Sequence, residues 1–253
     1  MKNKERNYYF PDISNVHYDL KNLNHSQLLL MTHLGLGDQI ILNGLVNFLS
    51  KRYEKLVLPV QKSNFNTIKF LYSQNNQVEI VQFPDENKLE YIENYRSKNN
   101  IEILQIGFQK VGNVPFNISF YNQIGLPYKY SYDYYRVPLH IAEEKGLEKH
   151  LLDYYNTAKN KIILVHNESS KGIFNLDKVN LDNPVYITKE SDKFNNLFYY
   201  SQIIKNSKEI HCLDSSFLHL VERTNTNAKL YFHDLFGASI QLSKNWYYIT
   251  YEH

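Results

Sequence analysis

The sequence predicts an α/β protein made of two Rossmann-like domains facing each other across a cleft, in a compact form. Three observations carry this expectation. Apolar strand-like runs alternate with helical stretches of 10–15 residues, the pattern of βαβ units around a parallel sheet. The first strong apolar run, Leu28-Leu29-Leu30-Met31, breaks into His33-Leu34-Gly35-Leu36-Gly37-Asp38 and then a helix-like stretch. The same strand–helix rhythm restarts after residue 160, without any sequence repeat between the halves.

Residues 1–25 are polar and aromatic without a clear period and read as an N-terminal extension packed on the first domain. Residues 26–31 then read as a strand, 38–51 as a helix, 55–59 as a strand and 63–73 as a helix. A third strand is expected at 77–81, a helix at 86–96 and a fourth strand at 101–106. Continuous apolar runs of this length suit strands buried on both faces. The middle, 116–135, is dense in Tyr and carries the turn signal Gly125-Leu126-Pro127. Its stretch from Tyr121 to Tyr135 is expected to line an acceptor side or to pack between the domains.

Charged and apolar residues at helical spacing over 137–155 link the two halves, and the domains are drawn at 1–150 and 151–253. The second series places strands at 161–166, 184–188, 209–213, 229–233 and 246–250, with helices at 195–206 and 216–224. Open α/β sheets bind ligands beyond the carboxyl ends of their strands, so the loops after these strands are where chemistry is sought.

Composition bounds the function. Hydrophobic residues make up 43% and charged residues 21% of the 253, as in folded globular chains. The net charge of +2 offers no concentrated basic surface, so nucleic acid is not expected as a partner. The single cysteine, Cys212, excludes an intrachain disulfide and a cysteine zinc cluster and suits a reducing compartment. No leader-like apolar segment follows the polar start, and no run approaches the roughly 20 apolar residues of a membrane span. A cytoplasmic location is expected. The 22 Tyr and 14 Phe favour surfaces that contact sugars or bases, although a coding bias rich in Asn and Lys accounts for them equally.

Three loops could carry chemistry. The first is Gly35-Leu36-Gly37-Asp38, where a strand turns into a helix and aims backbone N–H groups and a positive dipole end at one point. The glycines are expected to let the chain turn tightly and approach a ligand. Asp38 supplies a carboxylate there as a catalytic group, or serves as a helix N-cap. The third glycine of a dinucleotide fingerprint would fall at Ile40, and no phosphate-loop Gly-Lys-Ser/Thr run exists, so NAD and P-loop chemistry are disfavoured. The second is Asp214-Ser215-Ser216 with His219, directly after an apolar strand. Hydroxyls and amides at such a junction suit phosphate oxygens, with His219 one turn into the helix and able to face the same ligand. A capped helix carrying an ordinary half-buried histidine fits the same residues. The third loop is His166-Asn167-Glu168-Ser169-Ser170-Lys171-Gly172, in which Lys171 could neutralise a diphosphate, or which is simply a solvated loop.

Together these loops resemble the glycosyltransferases of family nine, the lipopolysaccharide heptosyltransferases, and more broadly the GT-B glycosyltransferases. The resemblance rests on Gly37-Asp38 opening the first long helix and on Asp214-Ser215-Ser216-Phe217-Leu218-His219, which stands where the family carries Asp-Thr-Gly-x-x-His. Phe236-Gly237 and Ser169-Ser170-Lys171 have counterparts in that family too. This chain departs from the pattern by its Ser-Ser and by lacking a tryptophan–proline pair after Lys171.

The resemblance implies a GT-B-like fold and transfer of a sugar from a nucleotide-diphosphate-sugar to a hydroxyl of a glycan or glycolipid acceptor, with inversion and without a metal or other cofactor. Asp38 would be the base on the acceptor hydroxyl in the first domain. Donor and phosphate contacts would come from Gly35, Gly37, His166, Ser169, Ser170, Lys171, Asp214, Ser215, Ser216 and His219. A role in cell-surface polysaccharide biosynthesis follows from the same likeness, and a glycolipid acceptor would bring peripheral membrane contact. A non-catalytic nucleotide- or glycan-binding module on the same fold is the alternative.

Overall fold

The computed structural model describes residues 16–21, 23, 26–33, 35–84, 88–107, 113–169 and 171–251. The chain divides into two compact units, Met1–Arg136 and Val137–His253.

In chain order the first unit contains strand β1 (Val16–His17), β2 (Gln27–Met31), helix α1 (Leu36–Leu49), β3 (Lys55–Val60), α2 (Phe65–Leu71) and β4 (Val78–Gln82). It continues with α3 (Lys88–Asn99), β5 (Glu102–Gln105), α4 (Phe116–Gln123) and α5 (Tyr130–Asp133). The five strands form one parallel sheet in the order β1-β5-β2-β3-β4. Its centre is β2, whose Leu28, Leu29, Leu30 and Met31 are all fully buried. One cluster joins Leu29, Met31, Val57 and Ile103 of the strands to Phe83, Ile92 and Ile101, with Tyr91 and Tyr95 of α3 packed against it.

Helix α1 is buried from Gln39 to Leu49 because it is covered from more than one side. A Cβ at Gly44 would stand 2.2 Å from the carbonyl oxygen of Tyr130, so α5 approaches too closely for any larger residue. The tyrosine-dense middle packs within the first unit, against α1. Phe48 of α1 meets the rings of Tyr130 and Tyr134 at 4.8 and 5.1 Å, and the Tyr121 hydroxyl donates to the Ile41 carbonyl at 2.9 Å. Asn47 Nδ2 donates to Asn43 Oδ1 and to the Tyr134 carbonyl, and Asn43 Oδ1 also accepts from Arg136 N. The expected N-terminal extension supplies the short edge strand β1, in register with Ile103 and Leu104 of β5.

The second unit begins with α6 (Ile141–Tyr154), followed by β6 (Ile163–His166), β7 (Glu168–Ser169), β8 (Gly172–Ile173), β9 (Val185–Tyr186) and α7 (Ser201–Asn206). Then come β10 (Glu209–Leu213), α8 (Ser216–Arg223), β11 (Lys229–Asp234) and β12 (Trp246–Thr250). Five strands form a second parallel sheet, β12-β11-β10-β6-β9, while β7 and β8 make a separate antiparallel ribbon. The helix expected to link the halves packs its buried Leu147 and Leu151 within this unit, against α7 and the turn before it. The division accordingly falls ahead of α6, between Arg136 and Val137 rather than at 150.

Two expected elements are shorter. The helix expected over 195–206 opens as a 3₁₀ turn, Leu197–Tyr200, because Asn195 sits at φ 49° and the Asn196 side chain caps Phe198 N. The strand expected over 184–188 closes at Tyr186, where Ser191 Oγ takes over by donating to the Tyr186 carbonyl and accepting from Thr188 N.

Candidate functional site

At the carboxyl end of β2 the chain passes through Thr32 and His33 into α1. The N-cap is Gly35, in extended backbone at φ −65°, and it offers no side-chain cap. Asp38 is therefore not the N-cap. It stands in the first turn of the helix, half-buried, where the dipole favours its negative charge. A Cβ on Gly35 would lie 2.7 Å from Asp38 Oδ2. The carboxylate thus folds back over Gly35, and the glycine's service is room for that oxygen rather than an unusual dihedral. Gly37 is an ordinary helical residue one position before Asp38.

Three residues without a sequence-assigned role hold this turn. Gln39 is buried and its Nε2 donates to Thr32 Oγ1 at 2.7 Å and to the His33 carbonyl at 2.8 Å, tying the helix to the strand end. His33 Nε2 donates to the Gly107 carbonyl at 2.7 Å, and its ring meets Phe120 edge-on at 5.4 Å. Gly107 sits at φ 91°, and a Cβ there would come within 3.0 Å of both rings. The only signal in the sequence is a glycine directly after the apolar strand that neighbours β2.

The second arrangement lies at the carboxyl ends of β6, β10 and β11. Ser215 caps α8 in extended backbone (φ −158°), with Oγ accepting from Leu218 N at 3.5 Å. Its hydroxyl is also hydrogen-bonded to His166 Nδ1 at 3.1 Å, so the ends of β6 and β10 are joined directly. The His166 ring stacks on Phe217 of α8, 5.1 Å between centroids and 16° apart in plane. Burial pushes its pKa down to about 4, so the imidazole is neutral at pH 7. Ser216 is the first residue of the helix.

His219 does not face solvent. It is only 3% exposed, in a helix whose residues Phe217 to Glu222 are all buried. Burial, and then the Arg223 charge, hold its pKa at about 3, and its Nε2 lies 4.0 Å from Asp214 Oδ1. The Asp214 carboxyl is raised above its ordinary range by burial and by the Asp234 charge, with Lys171 opposing. Ser169 Oγ accepts from Lys171 N at 3.0 Å inside the β7–β8 turn, and the Lys171 ammonium stands 3.5 Å from the centre of the Phe236 ring. Ser170 lies outside the described residues.

Chemically, the two arrangements differ. The turn at β2 offers an ionised carboxylate at a helix start without a side-chain cap. That at β6 and β10 offers a hydroxyl-capped helix N-terminus, a neutral imidazole and an ammonium, suited to an anion. Among the described residues no group of three or more His, Cys, Asp and Glu is placed to hold a metal ion. Among the same residues no helix is long and apolar enough to cross a membrane.

No protein-family model matches the chain, and no curated protein matches it by sequence. Among solved structures it is similar to a glycosyl transferase of family 9 from Veillonella parvula, at 9% identity and a TM-score of 0.55, over 90% of this chain and 88% of that one. It is also similar to the ADP-heptose lipopolysaccharide heptosyltransferase II of E. coli, at 11% identity and a TM-score of 0.53, over 88% of this chain and 90% of that one. At such identities the likeness is one of fold, and it agrees with the expected α/β class built on parallel sheets.

Proposed function

We propose that the chain is a glycosyltransferase that moves a sugar from a nucleotide-diphosphate-sugar to a hydroxyl of a glycan or glycolipid acceptor, with inversion. The observation that carries this reading is the Asp214-Ser215-Ser216 turn at the N-terminus of α8, joined through Ser215 to His166 and set near the Lys171 ammonium, within a fold shared with glycosyltransferases.

In this reading the second unit holds the donor and the first the acceptor. The acceptor oxygen attacks the anomeric carbon, the bond from that carbon to the diphosphate breaks, and its electron pair leaves with the nucleoside diphosphate. Negative charge grows on the diphosphate as the bond opens, and Lys171 together with the amides and hydroxyls of Ser215 and Ser216 lowers the barrier by meeting it. Leaving-group charge is thus assigned to this chain's own cation and helix start. The acceptor proton passes to Asp38, whose carboxylate is kept in place by the space over Gly35. The reading requires Asp38 to reach the acceptor oxygen at the moment that oxygen meets the sugar carbon.

The test is a screen of UDP-, GDP-, ADP- and CDP-sugars by thermal shift, with free nucleoside diphosphate assayed in the presence of hydroxyl acceptors. A donor that stabilises the protein and is consumed supports the reading. Stabilisation without release of any nucleoside diphosphate, across the panel, would instead identify a binding module.

A further inference from the structure

Phe236 has no place in the sequence reading beyond a shared Phe-Gly, yet its position is tightly specified. It follows β11 in a turn pinned by the Asp234 carboxylate, which accepts from Phe236 N at 3.3 Å and from Ala238 N at 2.9 Å. Gly237 closes the turn at φ 65°, a conformation that favours glycine. From the other side, Phe174 presents its ring edge to Phe236, with centroids 5.1 Å apart at 80°. Phe174 is fixed in turn by two hydrogen bonds with Asn167, N to O at 2.9 Å and Nδ2 to O at 2.7 Å. Both the loop after β11 and the base of the β7–β8 ribbon are therefore organised around this ring.

The Lys171 ammonium rests 3.5 Å from the ring centre, well inside the range of a cation–π contact. Two carboxylates, Asp214 and Asp234, are close enough to influence one another, and Asp214 also senses Lys171. An unguided lysine in such company would pair with a carboxylate and present a neutralised salt bridge to any arriving anion. Among the described residues the ammonium makes no ion pair and no hydrogen bond. The ring takes one side of the ammonium and leaves N–H donors for oxygens on the other.

We propose that Phe236 is a positioning residue that seats the Lys171 ammonium, keeps it off the neighbouring carboxylates and holds it open to a diphosphate. The identity of that diphosphate as part of a nucleotide rests on the function proposed above. The ring adds charge-meeting capacity without a charge of its own, which a carboxylate partner for the lysine could not do.

The test titrates inorganic pyrophosphate, ADP, GDP, UDP and CDP into the wild type, Phe236→Leu, Phe236→Tyr, Lys171→Met and the Lys171→Met/Phe236→Leu double variant. Affinity is read by calorimetry, and the Lys171 ε-methylene proton shift by NMR. Phe236→Leu should weaken diphosphate binding about three- to fivefold and abolish an upfield ring shift of the lysine signal. Phe236→Tyr, which keeps the ring, should restore both. In the Lys171→Met background the leucine change should add nothing, because the two residues act as one unit. Equal weakening in that background, tighter binding by Phe236→Leu, or an unshifted wild-type lysine signal overturns the seat. Phe236-dependent binding of pyrophosphate with no binding of any nucleoside diphosphate upholds the seat and overturns the nucleotide reading. Nucleotide binding that ignores Lys171 does the reverse, and a wild type that binds neither probe overturns both.

Discussion

The turn from β2 into α1 and the turn from β10 into α8 occupy the same place in their sheets, yet they are finished in opposite ways. The first leaves its helix start without a side-chain cap, with Gly35 at the N-cap and a carboxylate, Asp38, folded back over it. The second is capped by Ser215, backed by the buried neutral His219, and tied to the next strand by His166. A bare helix start with its own carboxylate already has a negative charge at the positive end of the dipole. The serine-capped start has its carboxylate, Asp214, ahead of the cap rather than in the first turn, with the Lys171 charge acting on it. Two strand-to-helix turns at sheet centres are thus finished differently, and the difference lies in which residue occupies the cap.

The comparison can be broken most severely at Asp38. Asp38→Asn should lower turnover by about two to four orders of magnitude, the usual reach of a positioned base, while the thermal midpoint stays close to wild type. Unchanged steady-state turnover would reduce Asp38 to a first-turn helix charge. Gly35→Ala should act on the same oxygen by displacement. Its methyl group would overlap Asp38 Oδ2, the flexible end of a side chain, so turnover should fall by about tenfold with little loss of stability. A large fall in the melting midpoint with normal turnover would contradict that.

Ser215→Ala sharpens the other side. Loss of the cap should cost about 1 kcal/mol, seen in denaturant unfolding, and weaken nucleotide binding several-fold because a phosphate donor goes with it. The smallest effect at neutral pH concerns the histidines. His166 and His219 have folded pKa values of about 4 and 3, below the ordinary 6.5. The unfolded chain therefore binds more protons over the interval below 6.5, so stability is complete above that pH and is lost as pH falls towards 4 and 3. Trp246 is the single tryptophan and lies in the second unit, its indole donating to Glu222. Its fluorescence should report a melting midpoint that drops on acidification from pH 7 to 5, and His219→Gln should lessen that slope while His166, His211 and His233, each lowered to about 4 by burial, keep part of it. A midpoint flat across the interval in the wild type would contradict the burial of neutral imidazoles.

Much of the fold was legible because its strands are apolar on both faces. Leu28–Met31 and the strand Glu209–Leu213 announce themselves as runs, and both lie at sheet centres. The segment from Phe116 to Tyr134 was not legible as helices α4 and α5. It is buried through ring-to-ring contacts and single hydroxyl bonds such as Tyr121 to Ile41, and these leave no helical period in an aromatic-rich stretch. The two-residue β1 carries too few residues for any alternation to show. At the sites, Asp38, Ser215 and Lys171 stood out as residue types beside strand ends. Their partners did not, because pairing across distant chain positions has no local signature: Phe236 lies far along the sequence from Lys171, and Gly107 from His33. The burial of His219 was not legible, since it depends on what packs around α8, which is buried from Phe217 to Glu222.

The division of labour between the two turns is tested most directly by titrating the nucleoside diphosphate of the productive donor into Asp38→Asn and Ser215→Ala side by side. The account expects wild-type affinity in Asp38→Asn and a several-fold loss in Ser215→Ala. Equal loss in both, or loss confined to Asp38→Asn, would contradict it.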